Sequence, residues 1–324
     1  VRLDAILNRR LLIVSGKGGV GKTTAAATLG VLAARRGLRV LVAEVEGKGT
    51  LSGLFNADPL TQKPSELRPG LYGLNISPEE ALREYLGVAF GMRRIARPIV
   101  ASQLIYYITH AAPGLRDILM LGKLWHMATR EREFDLFVLD TPAAGHTVSM
   151  LRSPEGFLHA VPIGPLASHT RQMLKWLQDP DQVSIHLVTL PEEMPVNETI
   201  ETTQLLEERL GMDVLGVFVN MVYPPVSNDP GTVAEFEKLE GPGGLIERAK
   251  QVGHSLSQET ARYLYECADF YRDRRAIQQS HRAELARAVA HTAPLVDLPF
   301  LFLDSFGIKE LELLADALEA ETAS

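Results

Sequence analysis

Cysteine is almost absent: Cys267 stands alone among 324 residues. That excludes an internal disulfide framework and a cysteine-based zinc site within one chain. Basic charge is also in deficit, 33 Lys and Arg against 40 Asp and Glu for a net charge of −7. Proteins that neutralise nucleic-acid phosphates need the opposite balance, so no nucleic-acid partner is expected. The same deficit argues against a basic membrane-surface anchor. No apolar run approaches the roughly eighteen residues of a membrane span. Val1 to Arg10 is polar and does not read as a leader, so a cytoplasmic location is expected. What remains is ordinary for a globular enzyme, 46% hydrophobic and 23% charged, with enough length to bury a core as one elaborated domain.

Glycine, by contrast, is concentrated where it has a use. Gly16, Lys17, Gly18, Gly19, Val20, Gly21, Lys22, Thr23 and Thr24 lie between the apolar run Leu11 to Val14 and a long Ala-rich segment. They satisfy the P-loop pattern G-x4-G-K-[ST], with a strand before it and a helix after it. Glycines let successive backbone N–H groups point into one concavity, and the following helix adds its positive end to the same place. A polyphosphate fits there, so ATP or ADP with Mg2+ is expected. Lys22 is placed for the β- and γ-phosphates and the Thr23 hydroxyl for the metal.

The rest of the chain alternates strands and helices, which predicts an α/β fold with a mostly parallel central sheet flanked by helices. Strands are expected at Leu11–Ser15, Arg39–Glu44, Tyr72–Ile76, Phe134–Leu139, Val183–Leu190, Val214–Asn220 and Pro294–Leu298. Between the second and third lies Glu46 to Thr50, read as a flexible stretch at a strand's carboxyl end, where open α/β sheets place their ligands. Residues from about 77 to 130 and from about 153 to 180 read as helical and too long for a simple crossover. They are expected to form a helical subdomain inserted into a single P-loop domain spanning 1–324. The fourth strand ends in Asp140, the Walker B arrangement, with the carboxylate held near Mg2+.

With these motifs in place, the chain resembles the family containing the arsenite-pump ATPase and the guided-entry ATPase for tail-anchored membrane proteins. The likeness is strongest at Gly16–Thr24, with Lys17 in the deviant Walker A position, and at Asp140-Thr-Pro-Ala-Ala-Gly-His-Thr147, which looks like the family's second switch. Glu198-Thr199 sits like the family's Glu-Thr pair, Val219-Asn220 like its Val-Asn, and Leu298-Pro299 like the opening of its base-side loop. The resemblance implies a face-to-face dimer in which Lys17 crosses to the nucleotide of the other subunit. It also implies that Asn220 reads adenine beside Pro299, Phe300 and Leu301, and that Glu46, Thr50, Gly145, His146 and Glu198 move as switch residues. In particular the chain looks like an actinobacterial branch whose members pair with a paralogous chain, so a homodimer or a heterodimer is expected. A hydrophobic or membrane-protein client would bring it transiently to the inner face of the membrane.

The departures are informative. The family's first switch reads Asp-Pro-Ala-His-Asn, and here the aligned residues are Glu46-Gly47-Lys48-Gly49-Thr50. Glu46 replaces the Asp that orients the attacking water, and misplacing such a group by about 1 Å can cost on the order of a hundredfold in rate. Hydrolysis is therefore expected to be slow or partner-dependent, with Lys17, Lys22, Glu46 and Asp140 as the catalytic set. The family's zinc cysteines and metalloid-binding cysteines are missing, so no zinc and no metalloid activation are expected. Two alternatives to client handling stay open: an energising subunit of an anion transporter, and a weakly catalytic regulatory subunit. Five of the eight methionines fall between Met92 and Met173, with Ile95, Ile99, Leu104, Ile105 and Leu119. This cluster is either an adaptable apolar groove or ordinary core.

Overall fold

Alternation along the strands decides the architecture. The computed structural model describes residues 3–45, 47, 49–89 and 114–323. In order, the elements are α1 (Leu3–Leu7), β1 (Leu11–Gly16), α2 (Lys22–Arg35), β2 (Val40–Val45), α3 (Thr50–Leu54), β3 (Ser65–Arg68), β4 (Leu71–Ile76) and α4 (Pro78–Ala89). After them come α5 (Leu115–His126), which runs into a π-helical turn, β5 (Leu136–Asp140), α6 (Ala144–Ala160), α7 (Pro165–Leu177), β6 (Val183–Thr189), α8 (Glu193–Leu210) and β7 (Val214–Val222). The chain closes with α9 (Pro230–Glu237), α10 (Gly241–Gln251), α11 (Gln258–Ala288), β8 (Leu295–Pro299) and α12 (Ile308–Ala323).

The eight strands form one sheet in the order β3-β4-β2-β5-β1-β6-β7-β8. Every pair is parallel except β3 with β4. Both faces are covered, which is why the central strands read as continuous apolar runs. Leu12, Val14, Val40, Val42, Leu136 and Val138 face α2 and α12. Their neighbours Leu11, Ile13, Leu41, Ala43, Phe137 and Leu139 face the layer of α5, α6, α7 and α8. Each such fully buried Leu or Val contributes about 1.5–3 kcal/mol relative to exposure.

Two elements differ from the sequence expectation. Ser65–Arg68 is an additional antiparallel edge strand, so the expected third strand is the fourth. Thr50 opens a short helix rather than lying in a flexible stretch, with Gly49 at φ +82° before it. The methionines of the 92–173 cluster are core where they are described: Met120, Met127, Met150 and Met173 are buried against the sheet. Leu119 is buried in a smaller cluster with Ala81, Leu82 and Leu115. Met92, Ile95, Ile99, Leu104 and Ile105 lie outside the described residues. Among the described residues no helix is long and apolar enough to cross a membrane.

Candidate functional site

β1 runs between β5 and β6 and delivers the chain to the P-loop at the carboxyl edge of the sheet. Gly16 has φ +151°, and a side chain there would start 2.1 Å from the Val188 carbonyl oxygen of β6. Gly19 and Gly21 turn through φ +87° and +92°, a region that favours glycine. Gly21 is also the N-cap of α2, so the loop ends on that helix's positive terminus. Gly18 and Gly19 are exposed, and nothing stands within 4 Å of a Cβ at either. Asn220 braces the loop from β7 by donating from Nδ2 to the Val20 carbonyl at 2.9 Å. After it, Met221 takes φ +58°, and β7 and β8 slip register before Phe300 N donates to the Val222 carbonyl.

The first residues of α2 carry the polar contacts of the candidate site. Lys22 Nζ donates to the Lys17 carbonyl at 2.9 Å. Burial lowers the Lys22 pKa, while Asp140 and Glu198 oppose that shift. Thr23 Oγ1 donates to Asp140 Oδ2 at 2.6 Å, joining α2 to the end of β5. Burial pushes the Asp140 carboxyl up to about 6; the Thr23 hydroxyl and Lys22 pull it down, and Glu44 adds to the rise. Asp140 Oδ1 is buried without a hydrogen-bond partner. A hydroxyl and a carboxylate with a spare oxygen form a hard donor set of the kind Mg2+ takes. Lys17, a third exposed, lies 3.3 Å from Glu198 Oε2 on α8.

Three features of the site escaped the sequence reading. Glu44, the register partner of Asp140 across β2 and β5, is buried beside it. A chain of hydroxyls also ties the turn after β5 to β1. Ser15 Oγ donates to Thr147 Oγ1 at 2.8 Å, Thr147 to Thr141 Oγ1 at 2.7 Å, and Thr141 to the Val14 carbonyl at 2.8 Å. Third, Asn75 on β4 holds the Gly47 backbone, accepting from its N–H at 3.1 Å. The spacing of the two threonines around the switch was the available signal for the hydroxyl chain; Glu44 and Asn75 had none, since each reads as an ordinary strand residue.

The other expected site residues fall as follows. Gly145 and His146 are exposed in the first turn of α6. Thr50 is exposed at the start of α3. Glu46 lies outside the described residues. Phe300 packs its ring on Tyr223 and Phe302, with centroids 5.2 and 4.7 Å away. Leu301 packs on the α2 side of the core, and Pro299 ends β8. Asn220 is thus joined to the P-loop, while the contacts of Phe300 run to the end of β7.

The sequence matches the anion-transporting ATPase family over residues 9–162 and 165–240. It is 32% identical to the ATPase BagA of Mycobacterium tuberculosis (strain ATCC 25618 / H37Rv) over 225 residues, 66% of this chain and 66% of that protein. The match to the arsenical pump-driving ATPase of Acidiphilium multivorum is 28% over 269 residues, 73% of this chain and 44% of that protein. The ATPase ASNA1 homolog of Plasmodium vivax is 23% identical over 345 residues, 95% of this chain and 87% of that protein. The chain thus spans about two thirds of the length of the mycobacterial relative.

Proposed function

Because the chain belongs to the anion-transporting ATPase family, we propose that it binds ATP with Mg2+ at the P-loop and hydrolyses it. The observation that carries this is the 2.6 Å contact between Thr23 Oγ1 and Asp140 Oδ2. It supports a metal position between the P-loop helix and β5, where Thr23 and Asp140 would hold the ion. The ion held there would supply positive charge to the β- and γ-phosphate oxygens. Lys22 exchanges the Lys17 carbonyl for those oxygens, and the backbone N–H groups of Gly18 to Lys22 orient the triphosphate. Asn220, which braces Val20, is assigned to meet the base. Pro299, Phe300 and Leu301 are assigned to the loop behind it.

In this reading two chains meet face to face, a second copy or a paralogue, and Lys17 leaves Glu198 to reach the partner's nucleotide. Loss of the γ-phosphate frees the loop 46–50 and the turn at Gly145 and His146. The helical residues of about 77–130 and 153–180 then move as a subdomain on the sheet. The work done is the handling of a hydrophobic or membrane-protein client by a chain working in the cytoplasm. The name of the Acidiphilium relative favours a second version, in which the same cycle energises a membrane anion transporter.

Phosphate release from ATP tests the activity. The wild-type chain is expected to release phosphate only with Mg2+, and Lys22→Ala to lower turnover by about 10²–10³. Tight nucleotide binding without turnover would move the chain to the regulatory-subunit reading, which Glu46 in place of Asp supports. Absence of both binding and turnover would overturn the proposal.

A further inference from the structure

Inside α5 stands a glycine that the packing does not call for. Gly122 lies well within the helix Leu115–His126, and helix interiors disfavour glycine more than any residue but proline. Its backbone is not left-handed. A close approach by a neighbour would also explain it, yet nothing stands within 4 Å of a Cβ built there. What Gly122 does border is a cavity of about 350 Å³ between α4, α5 and α7. Glycine at this position leaves that wall open. The middle of the cavity is apolar and aromatic. His169 of α7 packs against Tyr85 of α4 and Trp125 of α5, with ring centroids 6.0 and 6.2 Å away, and Met127, Leu166 and Met173 line the same space. Interiors are close-packed, so a void of this size forfeits contacts along its whole lining. An apolar cavity of about 150 Å³ stays free of water and takes up benzene. At roughly 30 Å³ each, the share of a water molecule in the liquid, this cavity has room for about a dozen non-hydrogen atoms.

The charged groups of the wall are mostly paired with one another. Lys123 donates from Nζ to Glu84 Oε1 and to the Gln62 carbonyl, each at 2.9 Å. His126 Nε2 lies 3.9 Å from Glu131 Oε1. Arg130 lines the cavity, is exposed, and has no hydrogen bond or ion pair with another described residue. It is carried by the π-helical turn Met127–Glu131 that follows α5, a geometry found frequently at functional sites. Arg10 anchors that turn to β1, its Nε donating to the Ala128 carbonyl at 2.9 Å. An apolar chamber with one free cation in its wall suits a molecule that has an apolar chain and an anionic end.

We propose that this cavity is a binding site for a medium-chain carboxylate of about ten carbons, its chain filling the space beside Gly122 and its carboxylate meeting Arg130. The site is separate from the nucleotide reading, since no residue of the P-loop or of the turns after β2 and β5 lines the cavity.

Calorimetric titration of the full chain with decanoate, and separately with decanol, tests this. Wild type is expected to bind one decanoate per chain. Gly122→Leu puts a side chain on the open wall and is expected to weaken decanoate on the order of tenfold or more. Its Tm should stay at or above that of wild type, because a helix interior prefers leucine to glycine, so the loss of binding would not be a loss of fold. Arg130→Ala is expected to weaken decanoate by about fivefold or more while decanol affinity stays within about twofold. No decanoate binding by wild type below the concentration at which decanoate forms micelles overturns the inference. Decanoate binding by Gly122→Leu as tight as that of wild type overturns it too, since the ligand would then sit elsewhere. An Arg130→Ala variant that keeps decanoate, or that weakens decanoate and decanol equally, overturns the carboxylate contact.

Discussion

His186 lies wholly buried on β6, its ring stacked on Phe218 with centroids 5.5 Å apart. Nε2 contacts Ser184 Oγ at 3.1 Å, and Nδ1 has no partner. Burial pulls its pKa down to about 3 from an ordinary 6.5. The folded imidazole therefore stays neutral where the unfolded one takes a proton. Stability is unaffected above about pH 6.5 and falls by about 1.4 kcal/mol per pH unit below it, down to the folded pKa. Urea unfolding at pH 7 and pH 5 should show wild type losing about 2 kcal/mol more than His186→Leu over that interval. Equal losses would mean that the ring is protonated in the fold. Lys17 and Glu198 form the other testable pair. Both are partly exposed, so Glu198→Gln should change stability by less than about 1 kcal/mol. If the pair restrains Lys17, the variant should dimerise at a lower ATP concentration than wild type in a light-scattering titration. The turn of the P-loop was legible in the sequence because its residues are consecutive in the chain. Glu44 was not, because its meaning comes from Asp140, a residue far along the chain that only the sheet brings alongside.

At the scale of elements, the P-loop and β7 are locked together at one point. Gly21 sits at φ +92°, and a Cβ there would lie 2.3 Å from Asn220 Nδ2. Gly21→Ala is expected to cost about 1–3 kcal/mol in urea unfolding. Asn220→Ala in the same chain should return the steric part but not the strain of the backbone. Strict additivity of the two changes would show that they are not in contact. The strands of the sheet centre were readable because both their faces are buried, which leaves long apolar runs between turn signals. β3 was not, since Ser-Glu-Leu-Arg carries no such run. It is fixed as an edge by pairing with β4 and by Arg68, which meets Glu312 of α12 at 2.6 Å. The five-residue α3 escaped for a related reason: its start depends on Glu44 accepting from Leu51, a contact with a strand rather than a pattern within the helix.

For the whole molecule, the size of the described cavity bears on the proposed pairing of two chains. The described helical layer encloses an apolar cavity of about 350 Å³ lined by Tyr85, Trp125, Met127, Leu166, His169 and Met173. A 20-residue helix is about 30 Å long and 10 Å wide, several times that volume. A helical client would therefore need a larger surface, such as one assembled from two subunits. Light scattering should accordingly report a one-chain mass without nucleotide and a two-chain mass with Mg2+ and a non-hydrolysable ATP analogue. A one-chain mass under every condition, including mixtures with a paralogue, would remove the dimer. The alternation of strands and helices in the sequence anticipated the α/β class. It could not show how the methionines divide, because helical spacing of apolar residues is the same for a groove and for a core.

Asn220 holds Val20, and immediately beyond it Gln278 of α11 takes hold of the same strand. Its Nε2 donates to the Met221 carbonyl at 2.9 Å, and its Oε1 accepts from Tyr223 N at 2.8 Å. Toward its C-terminus α11 seats Leu285 in the main core, while α9 and α10 bury no side chain completely. Gln278 is thus a fulcrum set one and three positions beyond a P-loop contact, with Gln258 about 30 Å away at the N-terminal end of the helix. A tilt of about 6° at the fulcrum sweeps that end through roughly 3 Å, a tenfold gain over a displacement of a few tenths of an ångström beside the phosphate loop.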